Sequence, residues 1–235
     1  MPTPAEAPIQ TELTAVHEFY LSLAPAIDPD HGLGGKLLLA GALDEGSARL
    51  IRAANIAGAA SLVASSDSSA LRSAMREGVI DFLVTTLDEA LRILKNEIRK
   101  RQPVAVGVSQ SSSAIVKEMK ERGVLPDLLP PHSHSADSSE LEEFVAHGAR
   151  HTRHMKLATG RVFVTLSIPA AWTPRIADFE ALLLEFIALD DHANRRWLRL
   201  SPRYLGQAAR RRRSLVCDVK RVSILQSRIA DAEAG

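Results

Sequence analysis

Histidine and carboxylate side chains recur at helical intervals in the second half of the chain. Five of the eight histidines lie between His132 and His154. Four candidate metal ligands follow one another at spacings of four, four and three: Glu143, His147, His151 and His154. A helix through this segment would place all four side chains on one face. Neutral imidazoles together with a carboxylate suit zinc, iron or nickel, so the 132–154 cluster is a candidate metal site.

The same spacing also has a simpler interpretation. Arg150, Arg153 and Lys156 are interleaved with the histidines. A solvated helix face with incidental histidines would show this mixture of residue types. We favour this interpretation and do not expect a bound metal.

A run of arginines near the C-terminus is the second feature with possible chemistry. Arg210 to Arg213 are consecutive, and further arginines and aromatic residues precede them: Arg195, Arg196, Trp197, Arg199, Arg203 and Tyr204. Such clusters can bind single-stranded nucleic acid through phosphate pairing and stacking. The chain has a net charge of only +1, and acidic residues are concentrated at 140–143 and 180–191. An internal or subunit salt-bridge surface is therefore the favoured interpretation, and nucleic acid is not an expected partner.

Bulk composition indicates an ordinary globular protein. The 235 residues are 46% hydrophobic and 24% charged. The single cysteine, Cys217, cannot form an internal disulfide, and it lies in an apolar segment where we expect it to serve packing. The first residues lack the basic and apolar regions of a secretory signal, and no apolar run is long enough to span a bilayer. We expect a cytoplasmic protein without a membrane segment.

The elements that must position these residues alternate between short apolar strands and amphipathic helices. A helix is predicted over residues 11–24, ending before Pro25. Strands are predicted at 36–41, 60–65, 80–85, 103–109 and 125–129. Helices are predicted between them at 46–57, 68–76, 87–101 and 112–122. This alternation indicates an α/β fold with a doubly wound parallel, Rossmann-like sheet of about five strands.

Capping residues support these boundaries. Thr86 and Glu89 have the spacing of a capping box at the start of the third of these helices, and Gly123 follows the fourth as a left-handed cap. The apolar residues Leu87, Ala90, Leu91, Leu94 and Ile98 recur at helical spacing. We expect that face to lie against the sheet.

A polar segment with two prolines, PPHSHSADSS at 130–139, marks a boundary. Beyond it we predict a helix over 140–158, a strand over 161–168, a long helix over 176–200, a strand over 214–219 and a terminal helix to residue 232. The expected organisation is an N-terminal extension and helix at 1–35, a Rossmann domain at 36–137, and a mainly helical C-terminal region at 138–235.

Three stretches within residues 35–137 follow one another in order: GGKLLLAGALDEGSARLIRAANIAGAASL, DFLVTTLDEALRILKNEIRKRQPVAVGV and ERGVLPDLL. Together they resemble the central Rossmann-type domain of urocanase, the NAD-dependent hydratase of histidine breakdown. The chain has no room for the family's long N-terminal portion or for its large region after the Rossmann domain. It is therefore similar to a truncated member of the family.

The resemblance implies a dinucleotide site at the turn after the first strand. Its cofactor-binding residues would be Gly41, Leu43, Gly46 and Ser47, in the segment GALDEGSARL. Family members carry a glycine-dense turn there, whereas this chain carries Asp44 and Glu45. Each carboxylate would repel a phosphate by roughly 3 kcal/mol at about 5 Å with an effective dielectric near 20. NAD is therefore a doubtful cofactor.

Other family positions also differ. Rossmann proteins place an acidic residue at the end of the next strand to hold the ribose, but Ser65 stands at that position and Asp67 lies nearby. SQSSSA at 109–114 replaces the family's HGNAAE segment. No catalytic residue of the family can be transferred to this chain.

Three functions follow from these patterns. The first is a urocanase-like protein that lacks urocanate hydratase activity and acts as a binding or interaction module, with a protein partner or a homo-oligomer expected. The second is an NAD-dependent hydratase or lyase of histidine catabolism with a modified cofactor site. The third is a metal-binding protein that uses the 132–154 histidine cluster.

Overall fold

The computed structural model describes residues 7–132 and 137–234. The chain forms two compact units. The sheet unit comprises residues 16–155, and the hairpin unit comprises residues 7–15 together with 156–234. The sheet unit thus extends beyond residue 137, where the sequence suggested a boundary.

A six-stranded parallel sheet organises the sheet unit. Its strands are β1 (Leu37–Ala42), β2 (Ala60–Ala64), β3 (Phe82–Val84), β4 (Ala105–Val108), β5 (Leu128–Leu129) and β6 (Arg150–His151). Their order across the sheet is β3-β4-β2-β1-β5-β6, and every neighbouring pair is parallel. The predicted α/β class is confirmed, with one strand more than expected.

Helices lie on both faces of this sheet. They are α1 (Ala7–Leu23, in the sheet unit from Val16 onward), α2 (Glu45–Ala57), α3 (Ser68–Arg76), α4 (Leu87–Arg99), α5 (Ser112–Glu121) and α6 (Asp137–Ala146). Val106 and Val108 join one buried core with residues of α4, α5 and α6. Gly107 lies on the other face, where a Cβ atom would come within 2.9 Å of Leu71 in α3. The sheet is therefore doubly wound.

The caps of α4 and α5 are as the sequence predicts. The Thr86 hydroxyl accepts a hydrogen bond from the backbone N–H of Glu89, and the Glu89 carboxylate accepts from the Thr86 N–H. Gly123 has φ +62° just beyond α5. Ile98 is partly buried, and the remaining four apolar positions of the predicted α4 face are fully buried: Leu87, Ala90, Leu91 and Leu94.

The prediction of one helix over 140–158 is wrong. Helix α6 ends at Ala146, and Gly148 has φ +100°, a left-handed conformation that glycine adopts without steric cost. The chain then runs beside β5. The Arg150 N–H donates to the Asp127 carbonyl and the Thr152 N–H to the Leu129 carbonyl, which makes β6 the sixth strand.

An antiparallel strand pair organises the hairpin unit. Strand β7 (Arg161–Ser167) pairs with β8 (Arg212–Asp218), with Arg161 opposite Asp218 and Ser167 opposite Arg212. Four helices belong to the same unit: α7 (Ile176–Leu184), α8 (His192–Tyr204), α9 (Gly206–Arg210) and α10 (Val222–Ala234). The region is mainly helical, as predicted. Cys217 is buried in β8 as expected, and this burial raises the pKa of its thiol.

The prediction of a continuous helix over 176–200 is also wrong. After Leu184 the backbone tightens into successive turns, which carry Phe186 and Ile187 into the core of the unit. Helix α8 then starts afresh, because the Asp191 carboxylate accepts a hydrogen bond from the Asn194 N–H. Asp191 acts here as an N-cap rather than as a mid-helix residue.

Buried polar contacts fix the position of α8 and β8. The Asn194 side chain bridges both backbone groups of Val216, donating to its carbonyl at 2.7 Å and accepting from its N–H at 2.9 Å. The Arg213 side chain, only 7% exposed, donates to the Glu180 carboxylate at 2.6 Å. At least one arginine of the 210–213 run thus forms an ion pair within the protein.

Replacing Asn194 by alanine tests the bridge. We expect Asn194→Ala to lower the free energy of unfolding by about 2–4 kcal/mol, because each buried polar group left without a partner costs roughly 1–3 kcal/mol. Urea denaturation would measure the loss. Arg199→Ala, at an exposed position of the same helix, should change it by less than about 0.5 kcal/mol. Similar losses in both variants would contradict the bridging role.

His17 in α1 predicts a pH dependence of stability. Burial lowers the pKa of His17 from 6.5 to about 3. The unfolded chain therefore binds this proton more readily than the folded chain does. The stabilising contribution of the neutral imidazole is complete above pH 6.5 and is lost as the pH falls toward 3, at about 1.4 kcal/mol per pH unit.

Urea denaturation of the unmodified protein and of His17→Gln between about pH 5 and pH 8 would measure this slope. The unmodified protein should lose stability faster on acidification by about 1.4 kcal/mol per pH unit. Equal slopes would mean that folded His17 takes up its proton at an ordinary pH.

Candidate functional site

The main cleft lies where the strand order reverses. The connection from β1 leads through α2 to β2 on one side, whereas β5 lies on the other side of β1 and is reached through α5. In open α/β sheets, ligands bind at this switch point beyond the carboxyl ends of the strands. A cavity of about 410 Å³ occupies the position here, within the range of small-molecule sites.

The turn after β1 forms one wall of the cleft. Gly41 has φ +81° and lies opposite Pro130 and Ser112, since a Cβ atom there would be 3.9 Å and 4.0 Å from their side chains. Of the four residues predicted to bind a cofactor, Gly41, Gly46 and Ser47 line the cleft. The fourth, Leu43, is not among the lining residues, and its N–H donates to the Ala64 carbonyl at 2.9 Å.

The Asp44 side chain closes the first turn of α2. Its Oδ1 accepts a hydrogen bond from the Ser47 N–H at 2.7 Å, and the Ser47 hydroxyl donates back to the Asp44 carbonyl at 3.0 Å. The Asp44 N–H donates to the same hydroxyl. This reciprocal cap satisfies amide groups that a phosphate would otherwise meet at a helix N-terminus.

Asp44 and Glu45 have different positions although they are adjacent in sequence. Asp44 lines the cleft, whereas Glu45 does not and instead forms an ion pair with Arg49 one turn along α2. The side chain of Glu45 is 78% exposed. Of the two carboxylates of this turn, Asp44 is therefore the one whose charge would act on a ligand in the cleft.

The segment after β2, where a Rossmann domain holds the ribose, also forms a helix cap. The Asp67 carboxylate accepts hydrogen bonds from the Ser69 hydroxyl and from the backbone N–H groups of Ala70 and Ser69 at the start of α3. These bonds lower the pKa of Asp67. Ser65 accepts from the Asp67 N–H at 3.1 Å, so both residues serve the α3 turn.

Residues 16–140 match a family model described as the urocanase Rossmann-like domain. The match covers more than half of the 235 residues and coincides with most of the sheet unit. The chain belongs to the urocanase family. The cleft with the Asp44 cap therefore lies at the switch point of a urocanase Rossmann-like domain.

Other walls of this urocanase-family cleft come from elements that are distant in sequence. Helix α5 contributes Ser112 and Ser113 at its N-terminus, which the Ser111 hydroxyl caps by accepting from the Ala114 N–H. Helix α1 contributes Phe19, and α6 contributes Glu140. None of the described residues that line the cleft is a lysine or an arginine.

The segment at and after β6 supplies two histidines to the cleft. His151 and His154 both line it. The His151 Nδ1 lies 2.6 Å from the Pro130 carbonyl, so this nitrogen carries the proton and donates. His151 Nε2 is shielded from solvent and has no hydrogen-bond partner among residues 7–132 and 137–234. The ring of His132 stacks on the His151 ring with centroids 3.7 Å apart.

The four predicted metal ligands do not share a helix face. Glu143 is in α6 beside Lys120, at 3.4 Å, and the His147 ring bonds to the Glu143 carbonyl. His151 is in β6, and His154 lies 3.7 Å from Glu18. Within the described part of the chain, no three His, Cys, Asp or Glu side chains form a group that could hold a metal ion. His134 of the same cluster lies outside the described residues.

The Arg195 and Arg213 side chains, from the arginine-rich segments, contact backbone carbonyls. Arg195 donates to the carbonyls of Leu184 and Ile187, and Arg213 donates to those of Arg210 and Arg212. Arg210 and Arg211 are exposed.

Among the described helices, none is long and apolar enough to cross a membrane.

Sequence reasoning located the turn after β1 but missed most of the other cleft residues. Phe19, Glu140 and the two histidines belong to elements that approach the turn only through the tertiary fold. One local signal was available. Gly148 after an amphipathic segment is a helix stop, and it would have placed His151 outside the helix.

Two substitutions of Asp44 separate its capping role from its charge. Asp44→Ala should lower the free energy of unfolding by about 1 kcal/mol through loss of the cap, whereas Asp44→Asn should keep the cap and change stability by only a few tenths. Glu45→Ala should cost no more than about 0.5 kcal/mol. Chemical denaturation of the three variants would measure these values. Equal effects of alanine and asparagine at position 44 would contradict the cap.

Proposed function

We propose that this urocanase-family chain lacks urocanate hydratase activity and acts as a binding or interaction module. The observation that carries the proposal is the Asp44 carboxylate, which caps α2 at the turn where the family binds its dinucleotide. The consequences for a cofactor follow from hydrogen bonding and from charge.

Three backbone N–H donors of this turn already have partners within the protein. The Leu43 N–H donates to Ala64, the Asp44 N–H to the Ser47 hydroxyl, and the Ser47 N–H to the Asp44 carboxylate. A phosphate would have to displace these bonds. It would then gain little, because one set of hydrogen bonds only replaces another.

The charge of the turn also opposes a phosphate. At about 5 Å and an effective dielectric near 20, the Asp44 carboxylate repels a phosphate charge by roughly 3 kcal/mol. The described lining residues include no lysine or arginine that would offset this repulsion. The residues present therefore do not fit a dinucleotide pyrophosphate.

Loss of NAD would remove the reaction itself. In the family, NAD acts as an electrophile that attaches to the imidazole ring of the substrate, so a chain without NAD has no route to hydration of urocanate. The cavity of about 410 Å³ remains, which supports a binding role for the same fold.

Thermal denaturation with and without millimolar NAD tests the proposal. A ligand at one hundred times its dissociation constant stabilises a protein by about 2.7 kcal/mol, which gives a melting shift of several degrees. We expect no shift in the unmodified protein. The double variant Asp44→Gly, Glu45→Gly should gain a shift if the carboxylate is what excludes the cofactor.

A single variant and an activity assay complete the test. Glu45→Gly is the matched control, since Glu45 does not line the cleft, and it should respond to NAD no better than the unmodified protein. The unmodified protein should leave urocanate absorbance unchanged with NAD present. A melting shift with NAD together with urocanate turnover would overturn the proposal and establish an NAD-dependent hydratase.

A further inference from the structure

We propose that the switch-point cleft binds a small organic cation that has N–H donors and an apolar body. This inference rests on the proposed function, because it assigns a ligand class to the cleft that no longer fits a dinucleotide. Three features of the cleft support it: the charge of the lining, the buried His151 Nε2 without a partner among the described residues, and the apolar walls.

Two carboxylates face a cleft without lining cations. Asp44 lines the cleft, and its cap uses Oδ1, so the cap leaves Oδ2 unused. Glu140 also lines the cleft and forms no ion pair within the described part of the chain. The N-termini of α2 and α5 each contribute about half a positive charge. Two full carboxylate charges outweigh these, so the cleft favours a cation when the histidines are neutral.

The nearest lysines do not cancel this charge. Lys117 and Lys120 line a separate shallow groove beside α5, which shares Glu140 with the cleft. Lys120 pairs with Glu143 at 3.4 Å, and Lys117 lies 3.9 Å from Glu121. Each lysine thus forms an ion pair with a carboxylate other than Glu140. The Glu140 carboxylate can therefore pair with a ligand.

His151 is the reason that the proposed ligand should carry an N–H donor. Because Nδ1 donates to the Pro130 carbonyl, Nε2 of the neutral ring is a lone-pair acceptor. This nitrogen is shielded from solvent and meets no partner in the described residues. A buried acceptor without a hydrogen bond is unfavourable, so a ligand N–H that reaches it gains affinity.

The remaining lining favours an apolar ligand body. Phe19, Leu39, Leu50, Val116 and Leu141 line the cleft, with Pro130 and Pro131 beside them. A hydrated metal ion or a bare ammonium would leave these surfaces uncovered, whereas an aromatic or branched aliphatic amine would cover them. A cavity of about 410 Å³ accommodates a ligand of this size.

Three small molecules of similar shape distinguish the contribution of charge to binding from the contribution of hydrophobic contact. Benzylamine, benzyl alcohol and benzoate share an aromatic ring and differ in charge. We would titrate each into the full-length, ¹⁵N-labelled protein at pH 8 and follow backbone amide shifts around Gly41, Ser47, Ser112 and His151. Benzylamine should bind saturably in the millimolar range or tighter, benzyl alcohol more weakly, and benzoate not at all. Tighter binding of benzoate, or no saturable binding of benzylamine, would overturn the proposal.

Charge-neutralising variants locate the site. Asp44→Asn keeps an N-cap residue, and Glu140→Gln keeps the shape of the side chain. Each should weaken benzylamine binding about three- to fivefold, the range expected for a partly exposed ion pair. Glu45→Gln, adjacent in sequence but outside the lining, should bind benzylamine like the unmodified protein. Loss of affinity only in Glu45→Gln, or in none of the three, would contradict the assignment.

NAD titrated in the same experiment distinguishes this inference from the proposed function. Saturable shifts with NAD at the turn after β1 would defeat the proposed function whatever benzylamine does. Absence of shifts with both NAD and benzylamine would defeat the cation inference alone.

Discussion

Helix α2 begins where strand β1 ends, and the Asp44 carboxylate closes its first turn by accepting a hydrogen bond from the Ser47 N–H at 2.7 Å. This contact sets both the geometry and the charge of the cleft. It allows α2 to start directly after β1, beside the left-handed Gly41, and it places a full negative charge where a Rossmann domain ordinarily presents unpaired amides and a partial positive charge. The proposed loss of NAD binding and the proposed preference for a cation both depend on this carboxylate.

A second acidic residue caps a helix after the next strand. Asp67 follows β2, near the position where Rossmann domains hold a ribose, but its carboxylate caps α3 through Ser69 and Ala70. Both acids stabilise the helices that follow them. The chain thus has a doubly wound sheet with a crevice at its switch point, and the carboxylates of Asp44 and Asp67 accept hydrogen bonds from groups within the protein. A fold of this kind can keep a binding cavity and change the chemistry that the cavity accepts.

Much of the sheet unit could be predicted from local sequence, because its apolar strands and capped helices recur at short range. Thr86, Glu89 and Gly123 act as the sequence suggested. The errors arose where a local pattern competed with a tertiary one. Residues 150–151 have helical spacing with their neighbours, but pairing with β5 and the left-handed Gly148 make them a strand. The cleft combines α1, α5, α6 and β6 with the turn after β1, a combination that depends on strand order rather than on any local pattern.

The most direct test of the account is a titration of inorganic pyrophosphate into ¹⁵N-labelled protein, with Asp44→Gly measured in parallel. The backbone amides of Gly46 and Ser47 report on the N-terminus of α2 without involving the rest of a dinucleotide. We expect the resonances of these amides to stay unshifted in the unmodified protein at millimolar pyrophosphate and to shift saturably in Asp44→Gly. Saturable shifts of the same amides in the unmodified protein would show that the Asp44 cap does not exclude phosphate, and would contradict the central claim.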